Sequence, residues 1–277
     1  MRTMKKLVII FILFTSAASL NAQAGFIGYV EYGYAMNKFS SPQFLTFLNS
    51  YNQYESSQGL TQKFDEKMKA ATGDYFKFGI GFGGAACKAI FDFGVLKARS
   101  NPYSARFSDG TGRDMIVDLR NSNSDVGIRF GGTDKFPLWI QLDMNILIQV
   151  VSIESYYVFA DGSKSYGLDH TLNGIYRDNI LTGGLGCTIG SRIIGPLNVF
   201  VHADYIPNFG KKQPNYHQYD DLTEIKNHDI STDYEYIPRD MAAYAAGDNY
   251  SDNAISDDMQ GWHFGAGIQL SFGKKPE

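Results

Sequence analysis

Apolar and polar residues take turns along much of this chain, and the last such stretch, Gly261 to Phe272, shows the pattern unbroken. Successive side chains of an extended strand point to opposite faces. Trp262, Phe264, Ala266, Ile268, Leu270 and Phe272 therefore share one face, while His263, Gly265, Gly267, Gln269 and Ser271 share the other. About eleven residues is what a tilted strand needs to cross a bilayer. A half-buried strand of a soluble sandwich has the same period, so the weight rests on how often the pattern recurs.

It recurs seven more times. Strand one, Gly25 to Tyr34, sets Phe26, Gly28, Val30 and Tyr32 against Ile27, Tyr29 and Glu31. Strand two, Tyr75 to Gly84, sets Phe76, Phe78, Ile80 and Phe82 against Lys77 and three glycines. Strand three, Ala89 to Phe107, alternates Phe91, Phe93 and Val95 with Asp92 and Gly94. Strand four, Asp114 to Gly131, opposes Val126, Ile128 and Phe130 to Asp125, Gly127 and Arg129, with a bulge expected at Asn121 to Ser124. Strand five is the clearest: Leu138, Ile140, Leu142, Met144, Ile146 and Ile148 face away from Trp139, Gln141, Asp143, Asn145 and Gln149, with Leu147 interrupting the polar set. Its phase slips at Val150-Val151, where the strand is expected to leave lipid. Strand six, Asn179 to Ser191, sets Leu181, Leu185, Cys187 and Ile189 outward, and strand seven sets Val199, Val201, Ala203 and Tyr205 against Asn198, Phe200, His202 and Asp204.

Turn chemistry separates these runs. Ala85 to Lys88, Gly132 to Lys135 and Gly195-Pro196 are short connections; Ser108-Asp109-Gly110-Thr111-Gly112 is a strong hairpin signal. Asn37 to Asp74, Ala160 to Asp178 and Pro207 to Gln260 are longer. Within the first, Ser41-Pro42 is a helix start, and Phe44 to Leu48 and Leu60 to Ala71 are helix-friendly in composition. This helical segment is expected to cap the barrel. The pattern predicts an all-β, transmembrane, antiparallel up-and-down barrel of eight strands, with long extracellular loops and both ends in the periplasm. Ten strands result if a long loop hides a hairpin.

Composition agrees with a greasy exterior: of 277 residues, 19% are charged and 14% aromatic. The net charge of −4 gives no electrostatic reason to expect nucleic acid. Residues 1–24 look like an export signal. Arg2, Lys5 and Lys6 precede the apolar run Leu7 to Leu20, and Ala22-Gln23-Ala24 offers a cleavage site near Ala22 or Ala24. The barrel domain is then 25–273, with 274–277 a short tail. No later segment is a spanning helix, and a membrane protein without one must close its sheet. Cys87 and Cys187 are expected to be separate free thiols.

On these alternating strands and the aromatic-rich last strand ending at Phe272, the chain resembles the OmpA/OmpX-like eight-stranded outer-membrane barrels, and most nearly the outer membrane protein beta-barrel domain proteins common in Bacteroidota. The resemblance covers Gly25 to Phe272. Gly273-Lys274-Lys275-Pro276-Glu277 departs from the terminal aromatic of the better-known barrels, and no peptidoglycan-binding domain follows. The resemblance implies residence in the bacterial outer membrane.

The expected lumen combines Glu31, Asp92, Asp125, Asp143 and Asp204 with Lys77, Arg129, His202 and His263, plus Gln141, Asn145 and Gln269. Charges there must pair or meet water, and an eight-stranded wall leaves room for side chains or one small ligand. A hydrogen-bonded plug is therefore expected over a conducting pore. His202, Asp204 and His263 could form an imidazole–carboxylate base, but there is no convincing Ser nucleophile or oxyanion device, and satisfied lumen histidines give the same pattern. No enzyme activity, cofactor or metal is expected. Asp220, Asp221, Glu224, Asp233, Glu235, Asp257 and Asp258 crowd the last loop without calcium-loop spacing. The expected role is structural or binding, in envelope integrity or an outer-membrane protein complex, with outer-membrane lipid and lipopolysaccharide as partners. A narrow solute pore is the alternative, and a barrel hydrolase acting on lipid A comes third.

Overall fold

The computed structural model describes residues 25–84, 86–165, 173–207, 217–219 and 260–273. The expected export signal, the acidic loop residues and the tail 274–277 lie outside the described residues.

Among the described residues, eight long strands pair antiparallel, each with the next in sequence: β1 (Gly25–Ser40), β2 (Ala71–Gly83), β3 (Cys87–Ser100), β4 (Gly112–Gly131), β5 (Leu138–Val158), β6 (Gly174–Ile194), β7 (Leu197–Ile206) and β8 (Gln260–Phe272). Strand β8 pairs back onto β1, with Glu31 opposite Gln269 and Tyr34 opposite Ala266, so the sheet closes and has no open edge. Three short turns share one end of the ring with Gly25 and Phe272; this is the lower end. The longer connections leave from the upper end. Further short strands, such as Tyr103–Phe107, extend the wall above the ring without adding to it. The ten-strand alternative is thereby set aside.

The lower part of the wall is apolar outside and polar inside. On β5, Leu138, Ile140, Leu142, Ile146 and Ile148 are exposed, whereas Trp139, Gln141, Asp143, Asn145 and Gln149 are buried. Phe76 to Phe82 on β2, Phe91 to Val95 on β3, Leu181 to Ile193 on β6 and Trp262 to Phe272 on β8 carry the same exposed apolar stripe around the ring. Leu181 is 75% exposed, which no aqueous surface favours over so wide a band. Tyr32, Tyr34, Tyr205 and Trp262 rim its upper edge, the aromatic girdle of a lipid belt. No helix among the described residues is long and apolar enough to cross a membrane.

Higher up, the wall turns inside out. On β5 the inward positions become Val151 and Ile153, fully buried, while the outward ones become Ser152 and Glu154. On β4 the inward residues become Leu119, Val117 and Met115, and the outward ones Arg120, Asp118 and Asp114. On β3 Leu96 and Ala98 turn inward below Lys97 and Arg99 outside. Ion pairs stud this outer face: Arg99 with Glu154, Arg120 with Asp118, and Arg106 with Asp114 at 2.7 Å.

That inversion corrects one expectation and accounts for another. The polar patch Asn121 to Ser124 is not a bulge, for its pairing runs unbroken to β3 and β5. The expected change of phase at Val150-Val151 is one of polarity, and β5 keeps register with both neighbours through it. In each place the two faces exchange polarity while the strand continues. A second correction concerns strand three. It stops at Ser100, because Pro102 has no N–H to offer a ladder, and resumes at Tyr103.

The apolar upper lumen is closed by α1 (Pro42–Ser56), which follows β1 directly. Ser41 caps it, its Oγ accepting from the Phe44 N–H at 3.2 Å, and Pro42 supplies the fixed φ suited to a first turn. Phe44, Phe47, Leu48 and Tyr51 pack inward on Phe39, Tyr103, Met115, Val117, Leu119, Val151 and Ile153. Burial pushes the Tyr51 phenol up to about 12, so it stays neutral in this core. The second helix-friendly stretch is not helical. Gly59 takes a positive φ of 92°, and Leu60–Gln62 becomes a strand against Tyr103–Phe107. Asn52 then ties the returning chain down, donating to the Phe64 carbonyl at 3.0 Å and accepting from its N–H at 2.8 Å.

Candidate functional site

The lower lumen is filled by side chains that converge from around the wall, with β6 adding the buried Thr188. Lys77 of β2 reaches across to Asp125 of β4 at 2.7 Å, and Asn123 donates to the same oxygen at 2.7 Å. Arg129 of β4 lies between the rings of Tyr29 and Trp139, 4.4 and 4.0 Å from their centroids. Its Nε donates to Gln141 Oε1 at 2.8 Å and its Nη1 to Gln269 Oε1 at 3.3 Å. Gln141 passes the chain on, its Nε2 donating to Asp92 at 2.9 Å and Asp143 at 2.8 Å. Gln269 does likewise to Glu31 at 2.6 Å, and the Tyr29 hydroxyl donates to Asp92. Gly79 makes the last contact feasible, because a Cβ there would strike both the Tyr29 ring and the Asp92 carboxylate.

Glu31, Asp92, Arg129, Asp143 and Gln269 thus form one hydrogen-bonded network through Gln141, and Lys77 with Asp125 and Asn123 forms a second group beside it. His202, Asp204 and His263 stand apart from both, higher on β7 and β8. His263 and Asp204 are cross-strand partners, and the β1 residue opposite His263 is Asn37. His202 Nε2 lies 3.8 Å from Asp204 Oδ2, beyond hydrogen-bond length. The His202 ring packs instead against Tyr75, edge to face at 4.9 Å, over Gly265, where a side chain would collide with it.

These three residues border a cavity of ≈ 40 Å³ shared with Asn37, Tyr75, Asn121, Asn123 and Asn145. It lies where the wall inverts, between the network and the apolar plug. Roughly 10–15 Å³ of such volume holds one water, so there is room for a small cluster and no wide passage.

Several contributors were not legible as lumen residues. Asn121 and Asn123 were hidden in a patch that reads as a bulge, and Asn37 sits where a loop was expected. Tyr29 and Trp139 were visible on the polar face, but periodicity says nothing of Arg129 lying between them. Cys87 and Cys187 are free, as expected, both on the outward-facing parity of their strands.

A closed eight-strand ring, an apolar belt rimmed by aromatics and a lumen packed with polar side chains define a transmembrane β-barrel of the outer-membrane type. No protein-family model and no curated protein matches the chain. Among solved structures the chain is similar to Neisserial surface protein A, at 11% identity and a TM-score of 0.33, over 90% of this chain and 99% of that one. So loose an overlap carries none of that protein's properties across; the barrel rests on its own strand pairing.

Proposed function

We propose that the chain is exported, cleaved near Ala22 or Ala24 and inserted in a bacterial outer membrane, as kin of the OmpA/OmpX-like barrels and of the beta-barrel domain proteins common in Bacteroidota. There it acts as a structural or binding protein. The ring anchors an upper platform that meets lipopolysaccharide or other proteins of an outer-membrane assembly. The observation carrying this reading is the double filling of the lumen, apolar above and hydrogen-bonded below. A wall spent on packing itself supports anchorage better than transport.

A narrow solute pore is the second reading, and the small cavity is its foothold. No catalytic role is assigned to His202, Asp204 and His263: His202 stands 3.8 Å from Asp204, beyond hydrogen-bond length, and no nucleophile is placed beside them among the described residues. Purification of the native protein in mild detergent, followed by mass spectrometry of the intact species, tests the binding role. A fixed ratio of lipopolysaccharide or of a partner protein is expected. A bare barrel at every detergent concentration would count against it.

A further inference from the structure

The cavity at the inversion level has a chemistry of its own. Asn37 is fully buried, and its amide orientation is set by donation from Nδ2 to the Ala71 carbonyl at 3.3 Å, which turns Oδ1 away unmatched. Asn145 donates to Asp204 and also leaves its Oδ1 unmatched. Both side-chain polar atoms of Asn121, the Tyr75 hydroxyl and His263 Nε2 lack protein partners as well. All five residues are more than nine-tenths buried and line the cavity. Buried polar atoms go unmatched rarely, and several around one space point to an occupant. Carbonyl oxygens and a carboxylate outnumber the donors, so that occupant brings donors or positive charge.

The charge balance agrees. Between the lower rim and the plug, the described residues place five carboxylates (Glu31, Asp92, Asp125, Asp143 and Asp204) against two cations, Lys77 and Arg129. Lys77 also lines the cavity, with its ammonium bonded to Asp125 at 2.7 Å. Lys88 and Arg192 stand at the lower rim, where Arg192 meets Asp134, and Arg113 lies beyond the plug, bonded to Ser155 and Asn173. A buried carboxylate is neutralised either by a proton or by a bound counter-charge, and the unmatched amide oxygens beside Asp204 favour a bound counter-charge there. No three His, Cys, Asp or Glu side chains converge as metal ligands among the described residues, so the cage that calcium or a transition metal needs is lacking. A singly charged ion needs less.

We propose that this chamber binds a small monovalent cation, of the size of ammonium or potassium, against Asp204, with the amide oxygens of Asn37 and Asn145 beside it and water and Asn121 completing the shell. Asn37, His263 and Asp204 lie in one row across β1, β8 and β7, at one level of the lumen and all lining the cavity. His202 and His263 border the site. The inference rests on the plugged-lumen reading, which conductance tests separately.

Thermal unfolding of the full barrel in micelles, at fixed ionic strength and neutral pH, is the test. Ammonium or potassium chloride should raise the midpoint in a saturable way, since an ion bound by the folded state alone stabilises it; choline chloride, too large for the chamber, should not. Asp204→Asn should abolish the difference between salts, and Asn145→Leu should weaken it, with heat-dependent gel migration verifying that each variant folds. Thallous ion soaked into crystals should give an anomalous peak beside Asp204. Equal midpoints in all three salts, or a salt difference undiminished in both variants, would overturn the proposal and leave bound protons as the balancing charge.

Discussion

The lower and upper halves of this barrel share the same strands and are filled in opposite ways. Below, lipid lies outside and a polar network inside; above, water and ion pairs lie outside and an apolar core inside. Each strand obeys one rule throughout, that successive residues alternate, yet the meaning of the alternation reverses where the strand leaves lipid. Only the solvent on the outer face has changed, and the filling follows. The apolar core needs volume and no particular partner. The network needs every partner in place, because an ion left unmatched in a low dielectric is costly.

The largest expected effect breaks the lower half. Lys77→Met removes the partner of buried Asp125 and should cost about 3–5 kcal/mol. Urea unfolding in micelles measures it. Combining it with Asp125→Leu should restore most of the loss, since replacing both members of a buried pair by apolar residues is often neutral. A double variant as unstable as the single one would show that the network does not depend on that pair.

Truncation in the upper half should follow cavity rules instead. Leu48→Ala on α1 should cost about 2–5 kcal/mol with no rescue by a second polar-to-apolar change. The same unfolding measurement reads it, and proteolysis of the segment 57–70 should quicken if α1 loosens. A loss below about 0.5 kcal/mol would mean the helix is not packed as described.

Smallest is the helix start. Ser41→Ala loses one capping bond and should cost about 1 kcal/mol, with Ser41→Asp close to neutral. An unchanged midpoint in the alanine variant would place the cap's contribution elsewhere.

How much of this was legible depended on the solvent outside each strand. Where lipid lies outside, bulky apolar residues stand against glycine, amide and carboxylate, and all eight ring strands could be read from that contrast. Above lipid both faces carry mixed residues, so Asn121 to Ser124 resembled a bulge; at Val150-Val151 the change of phase was legible. The helix start was visible because Ser41-Pro42 carries both cap and first-turn signals. Leu60 to Ala71 was misread because its partner, Tyr103–Phe107, is distant in sequence. Lumen membership of Glu31, Lys77, Asp92 and the others follows from parity; which of them touch follows from side-chain lengths across the ring, and alternation is silent on that.

The central claim is that the lumen is filled through its height. Single-molecule conductance of the refolded barrel in a planar bilayer tests it directly. The wild-type protein is expected to hold the baseline, without steady openings, at moderate voltage in molar potassium chloride. Long-lived ion-sized openings of uniform amplitude in the wild type would contradict the filled lumen and favour the pore.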